Sequence, residues 1–136
     1  MNKIILLLVV VVALISCNKK KQSASKDKKV VLYRDSTNVV KVSDTLVIGE
    51  STCRGCAYEE STHFGISDSM GIIKLENVLT RDNNSAQVEG GSVSKTLILV
   101  PQKTGKTIIK LYKFWDEGET AEDSLNFTQY TIDVQN

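Results

Sequence analysis

From Val30 to the C-terminus the apolar residues fall in short runs rich in Val, Ile, Thr and Tyr. Gly, Asn, Asp and Ser separate the runs, and none sustains the i, i+3, i+4, i+7 spacing of a helix. This constrains the fold most, because periods of 3.6 and of two bury different sets of side chains. The last run is the clearest. Thr128, Tyr130, Ile132 and Val134 face one way while Gln129, Thr131 and Asp133 face the other, as in a half-buried strand. The pattern predicts strands at Val30–Tyr33, Val39–Val42, Thr45–Ile48, Ala57–Glu59, His63–Ile66, Ile72–Leu79, Val93–Val100, Lys106–Phe114 and Asn126–Val134. Thr96 to Val100 is almost continuously apolar, as expected for a strand near the centre of a sandwich. Glu117 to Ser124 reads as an acidic loop.

Seven to nine short strands in so short a chain predict an all-β fold, an immunoglobulin-like antiparallel two-sheet β-sandwich. A closed barrel is the main alternative. The chain has 136 residues, enough for one domain with a tail and too few for a multidomain enzyme. The Cys-Trp-Cys spacing of antibody domains is absent, so the likeness is architectural.

The first thirty residues differ from the rest. Lys3 precedes twelve unbroken apolar residues, Ile4 to Ile15. A helix needs about 20 residues to cross a hydrocarbon core, whereas a secretory apolar region runs to roughly 7–15. Leu14-Ile15-Ser16-Cys17 follows and resembles the lipobox of bacterial lipoproteins. The resemblance implies a signal peptide over 1–16 and a lipidated Cys17 as the mature N-terminus, its acyl chains serving as membrane anchor. An ordinary signal peptide with an incidental Cys17 is the alternative. Asn18 to Lys29 holds six Lys and almost nothing to bury, so 17–29 are expected to be the lipidated cysteine and a solvated basic tether, with the sandwich at 30–136. The expected location is the bacterial cell envelope, at the outer membrane or cell surface. Residues 30–136 hold 10 of the 17 basic and 15 of the 16 acidic residues. An acidic domain without a basic stripe is not expected to bind nucleic acid.

Three loops carry the remaining information: Gly49–Tyr58 (GESTCRGCAY), Val88–Ser92 (VEGGS) and Lys113–Gly118 (KFWDEG), the last with the single Trp. Cys53 and Cys56 admit a local disulfide, a redox dithiol, a metal site with His63 and Glu59 or Glu60, or free thiols. One histidine supports no Ser-His-Asp or Cys-His arrangement. The acidic residues Glu117, Glu119, Glu122 and Asp123 lack the spacing of a calcium loop. No catalytic residue, metal or cofactor is expected.

In order and approximate spacing, the three loops resemble those of the chagasin family of cysteine-peptidase inhibitors. That family's motifs are Asn-Pro-Thr-Thr-Gly followed by an aromatic, then Gly-x-Gly-Gly, then Arg-Pro-Trp. Here Gly55, Ala57 and Tyr58 match the end of the first, with Cys53 and Arg54 where the two Thr would stand. Gly90 and Gly91 match the end of the second, with Val88 in place of its first Gly. Trp115 matches the third, behind Lys113 and Phe114. The likeness spans roughly Asp44 to Val134. It implies an immunoglobulin-like sandwich whose loops form a wedge in the cleft of a papain-like cysteine peptidase, with no chemistry performed by the inhibitor. The residues it assigns to partner binding are Cys53, Arg54, Gly55, Cys56, Tyr58, Gly90, Gly91, Phe114 and Trp115. A monomer is expected. A structural or adhesion module on the same sandwich is the rival reading, and a thiol-disulfide protein a third.

Overall fold

The computed structural model describes residues 28–82, 90–118 and 126–136. Cys17 and the segments read as signal peptide and most of the tether lie outside them. So do Val88, Glu89, Glu119, Glu122 and Asp123. Eight strands form among the described residues: β1 (Lys29–Val31), β2 (Thr37–Lys41), β3 (Thr45–Cys53), β4 (His63–Ser67), β5 (Ile73–Arg81), β6 (Ser92–Pro101), β7 (Gly105–Phe114) and β8 (Phe127–Gln135). They make two four-stranded sheets, ordered β1-β3-β6-β5 and β2-β8-β7-β4. The fold is an all-β, immunoglobulin-like sandwich.

The period of two builds the core. Leu46 and Ile48 of β3, Leu97 and Leu99 of β6, Ile109 and Leu111 of β7, and Tyr130, Ile132 and Val134 of β8 are buried between the sheets. Thr96 to Val100 lies in β6, which is interior to its sheet and paired on both sides. Four pairings, β3–β6, β5–β6, β4–β7 and β7–β8, are antiparallel. The edge strands β1 and β2 differ, β1 running parallel to β3 and β2 parallel to β8. The chain crosses between sheets in the five residues from Leu32 to Ser36, so neither edge strand is a hairpin partner of its neighbour. Asn38 fixes that crossing. Its side chain is buried, accepts from the Tyr33 amide at 2.8 Å, and donates to the carbonyls of Tyr33, Ser36 and Thr131.

Two strand expectations change. Thr45–Ile48 is only the first half of β3, which continues through Gly49–Cys53 because Glu50, Ser51, Thr52 and Cys53 stay in register with Lys95, Ser94, Val93 and Ser92. Ala57–Glu59 is a turn. The Tyr58 carbonyl accepts from the Thr62 amide and hydroxyl, and the Glu59 amide donates to the Cys56 carbonyl. The sheet also begins at Lys29, inside the stretch read as tether.

Strand direction sorts the connections. β3, β5 and β7 run toward one end of the sandwich, and β4, β6 and β8 return from it, as the pairs Cys53↔Ser92, Arg81↔Ser94, Phe114↔His63 and Tyr112↔Phe127 fix. The β3–β4, β5–β6 and β7–β8 connections therefore share that end, called the tip. The opposite end, the base, holds Lys29 and the β2–β3, β4–β5 and β6–β7 turns.

Candidate functional site

The tip is assembled from the three loops singled out by sequence. β3 delivers the chain to Cys53, and residues 54–62 cross to the other sheet, where β4 begins. This crossing touches both other loops. On one side the Arg54 amide donates to the Gly91 carbonyl at 3.0 Å, and the Arg54 Nε meets the Asp82 carboxylate at 2.8 Å. On the other side Tyr58 meets Trp115 edge-on with ring centroids 6.1 Å apart, and the Ser61 hydroxyl donates to the Trp115 carbonyl. Lys113 ties the sheets beneath, donating from Nζ to the Ser51 carbonyl at 2.6 Å while its ammonium stands 4.9 Å from the Trp115 ring centre.

Backbone geometry explains the glycines. Gly55, Gly90 and Gly91 have φ of 71°, 80° and 94°, a region that side chains with a Cβ rarely adopt. A Cβ on Gly55 or Gly90 would meet no atom within 4 Å, so the space beyond them is open. Cys53 and Cys56 are joined as a disulfide, their Cα atoms 5.9 Å apart. Neither is fully buried.

Tyr58 and Trp115 are exposed at 49% and 45%. Large apolar rings left in water on a supported surface are a common mark of a binding patch. Phe114 is a correction. It is buried at 5%, against Tyr112 with centroids 5.8 Å apart and against His63 at 4.9 Å. The alternation of β7 turns Thr107, Ile109, Leu111 and Lys113 toward the other sheet and Phe114 to the outer face. The third loop proper starts at Trp115.

Two features had no sequence signal. A cleft of about 490 Å³ opens beside the tip, with Arg34, Glu50, Lys113, Trp115 and Phe127 among its walls. In it Arg34 bonds to Glu50 at 3.0 Å, and a hydrogen bond with Tyr130, then the charge of Glu50, hold the guanidinium more firmly protonated than usual. Thr52, directly before Cys53, is buried with its hydroxyl unpartnered. Neither residue pattern would have revealed these, since both arise from pairings across the sheets. Among the described residues no group of three His, Cys, Asp or Glu is placed to hold a metal.

The eight-strand arrangement superposes on the crystal structure of the cysteine protease inhibitor EhICP2 from Entamoeba histolytica. The TM-score is 0.55, with 16% identity, over 81% of this chain and 98% of that one. This chain is similar in fold to a cysteine protease inhibitor. The solution structure of amebosin aligns over 80% of this chain and 98% of its own, with a TM-score of 0.49 and 16% identity. No protein-family profile matches the sequence, and no curated protein matches it. The likeness to EhICP2 agrees with the sandwich that the loop motifs imply, and it is a likeness of fold.

Proposed function

We propose that the chain is an envelope lipoprotein that binds and inhibits a papain-like cysteine peptidase with its tip. The observation that carries this reading is convergence. Three loops far apart in sequence meet at one end through the Arg54–Gly91 hydrogen bond and the Tyr58–Trp115 contact. A wedge of this kind suits a cleft. A first loop held by its own hydrogen bonds loses little conformational freedom on docking, so less contact energy is offset. Gly55, Gly90 and Gly91 let backbone come close to a partner, while Tyr58 and Trp115 supply apolar contact. The Arg54–Asp82 pair and the Arg54–Gly91 and Gly55–Glu59 hydrogen bonds hold the first loop. The likeness in fold to EhICP2, a cysteine protease inhibitor, supports the partner class. The rival structural or adhesion reading would be favoured by an indole packed in the core or by loops at different ends; Trp115 is exposed and the loops share one end.

The fragment 18–136 contains every described strand and the core they form, and should inhibit members of a panel of papain-like peptidases competitively. Absence of inhibition across the panel at high micromolar concentration would remove the function and leave the fold. The lipid anchor is tested separately, by metabolic labelling with a fatty-acid probe. Label on the full chain that disappears in Cys17→Ala supports it, and an unlabelled full chain overturns it.

A further inference from the structure

The first loop holds its shape by hydrogen bonds that do not involve sulfur. The Arg54 amide reaches Gly91, the Gly55 amide reaches the Glu59 carboxylate, the Glu59 amide reaches the Cys56 carbonyl at 3.1 Å, and the Arg54 side chain reaches Asp82. A bridge closing only two intervening residues also removes little entropy from the unfolded chain, since that gain grows with loop length. The Cys53–Cys56 disulfide is therefore a weak staple on a loop already held. Its place is more telling. It sits at the tip, next to Gly55 with open space beyond it, in the same crossing as the exposed Tyr58.

A cysteine peptidase attacks its substrates with a thiolate, and a disulfide sulfur is an electrophile for thiolates. We infer that the Cys53–Cys56 disulfide exchanges with the catalytic thiolate of the bound peptidase and traps it as a mixed disulfide. This rests on the tip being the peptidase-binding surface. In the step, the peptidase sulfur forms a bond to one of the two Sγ atoms as the Cys53–Cys56 bond breaks. The electron pair leaves on the other cysteine as thiolate, which takes a proton from water. One disulfide is consumed and one is made, so no outside oxidant enters. The released cysteine stays in a turn that keeps its hydrogen bonds. Its return attack is intramolecular and favoured by a high effective concentration, so the trap is reversible.

The test uses the oxidised 18–136 fragment, in which Cys53 and Cys56 are the only cysteines, beside its Cys53→Ser/Cys56→Ser double variant. The probes are papain and two further papain-like peptidases, activated and then stripped of reductant. Under denaturing, non-reducing conditions the wild-type fragment should give an adduct whose mass is the sum of both proteins with nothing lost. Alkylation should find one new thiol at Cys53 or Cys56, and dithiothreitol should dissolve the adduct. The double variant should give no adduct and inhibit at least tenfold more weakly after long incubation. If both fragments inhibit equally and no adduct forms, the exchange is wrong and the binding surface stands. If neither inhibits any of the three peptidases, both readings fall together.

Discussion

At 45% exposure Trp115 leaves nearly half of its surface to water, while Tyr58 meets it edge-on and the Lys113 ammonium stands over its ring. These neighbours fix its orientation without covering it, which suits an anchor that must bury the rest against a partner. Trp115→Ala should weaken inhibition by at least about 2 kcal/mol, roughly 30-fold in the inhibition constant. The melting temperature should move little, because the side chain lies outside the core. A large drop in melting temperature with unchanged inhibition would make it a structural residue instead. That Trp115, Tyr58 and the glycines fall in loops was legible in the sequence, because such types are rare or punctuate strands. The place of Phe114 was not. Read with Trp115 as part of the third loop, it is instead the last residue of β7, and the register of Ile109 and Leu111 turns it to the outer face, where Tyr112 and His63 cover it, while Lys113 spans the gap to Ser51.

Strands and turns differ in how openly they are written. β8 follows its alternation because one face is core and the other is solvent. β3 runs past the point where its apolar residues end, since β6 supplies backbone partners as far as Ser92. Such ladder bonds are indifferent to side-chain polarity, so Glu50 and Ser51 gave no warning of a strand. Ala57–Glu59 fails for the opposite reason: three residues are too few for a period, and the Tyr58–Thr62 bonds close a turn instead. The β4–β5 turn at the base rests on one side chain. The Asp68 carboxylate accepts from the amides of Met70, Ile72 and Ile73 and from the Thr107 hydroxyl. Burial pushes its pKa up, but the Thr107 and backbone hydrogen bonds outweigh it, and the net shift is below the ordinary 3.8. A lowered folded-state pKa means the contribution is complete above about 3.8 and is lost as pH falls through the folded value. Asp68→Asn should therefore cost about 2 kcal/mol at neutral pH. Its deficit against wild type in urea titrations should shrink below pH 3.8. A deficit that stays constant down to pH 2, about two units lower, would deny the carboxylate this role.

The two sheets share one core, to which β3, β6, β7 and β8 all contribute, and the tip is hung between them. Unfolding should thus be a single transition. The single tryptophan, Trp115, reports on the tip by fluorescence, and far-ultraviolet circular dichroism reports on the sheets. Their urea midpoints should coincide, and Leu97→Ala should cost about 3 kcal/mol and lower both midpoints together. A fluorescence transition that comes first would show the tip melting by itself. The sandwich architecture was legible from strand number and spacing, but strand direction was not, because alternation is the same in parallel and antiparallel pairs. The parallel seating of β1 on β3 sets Lys29 beside Thr45, at the pole farthest from Trp115. Whatever holds the protein upstream of Lys28 grips it by the heel. The proposed tether would then enter at the pole opposite the indole and glycines, leaving them clear of the point of attachment.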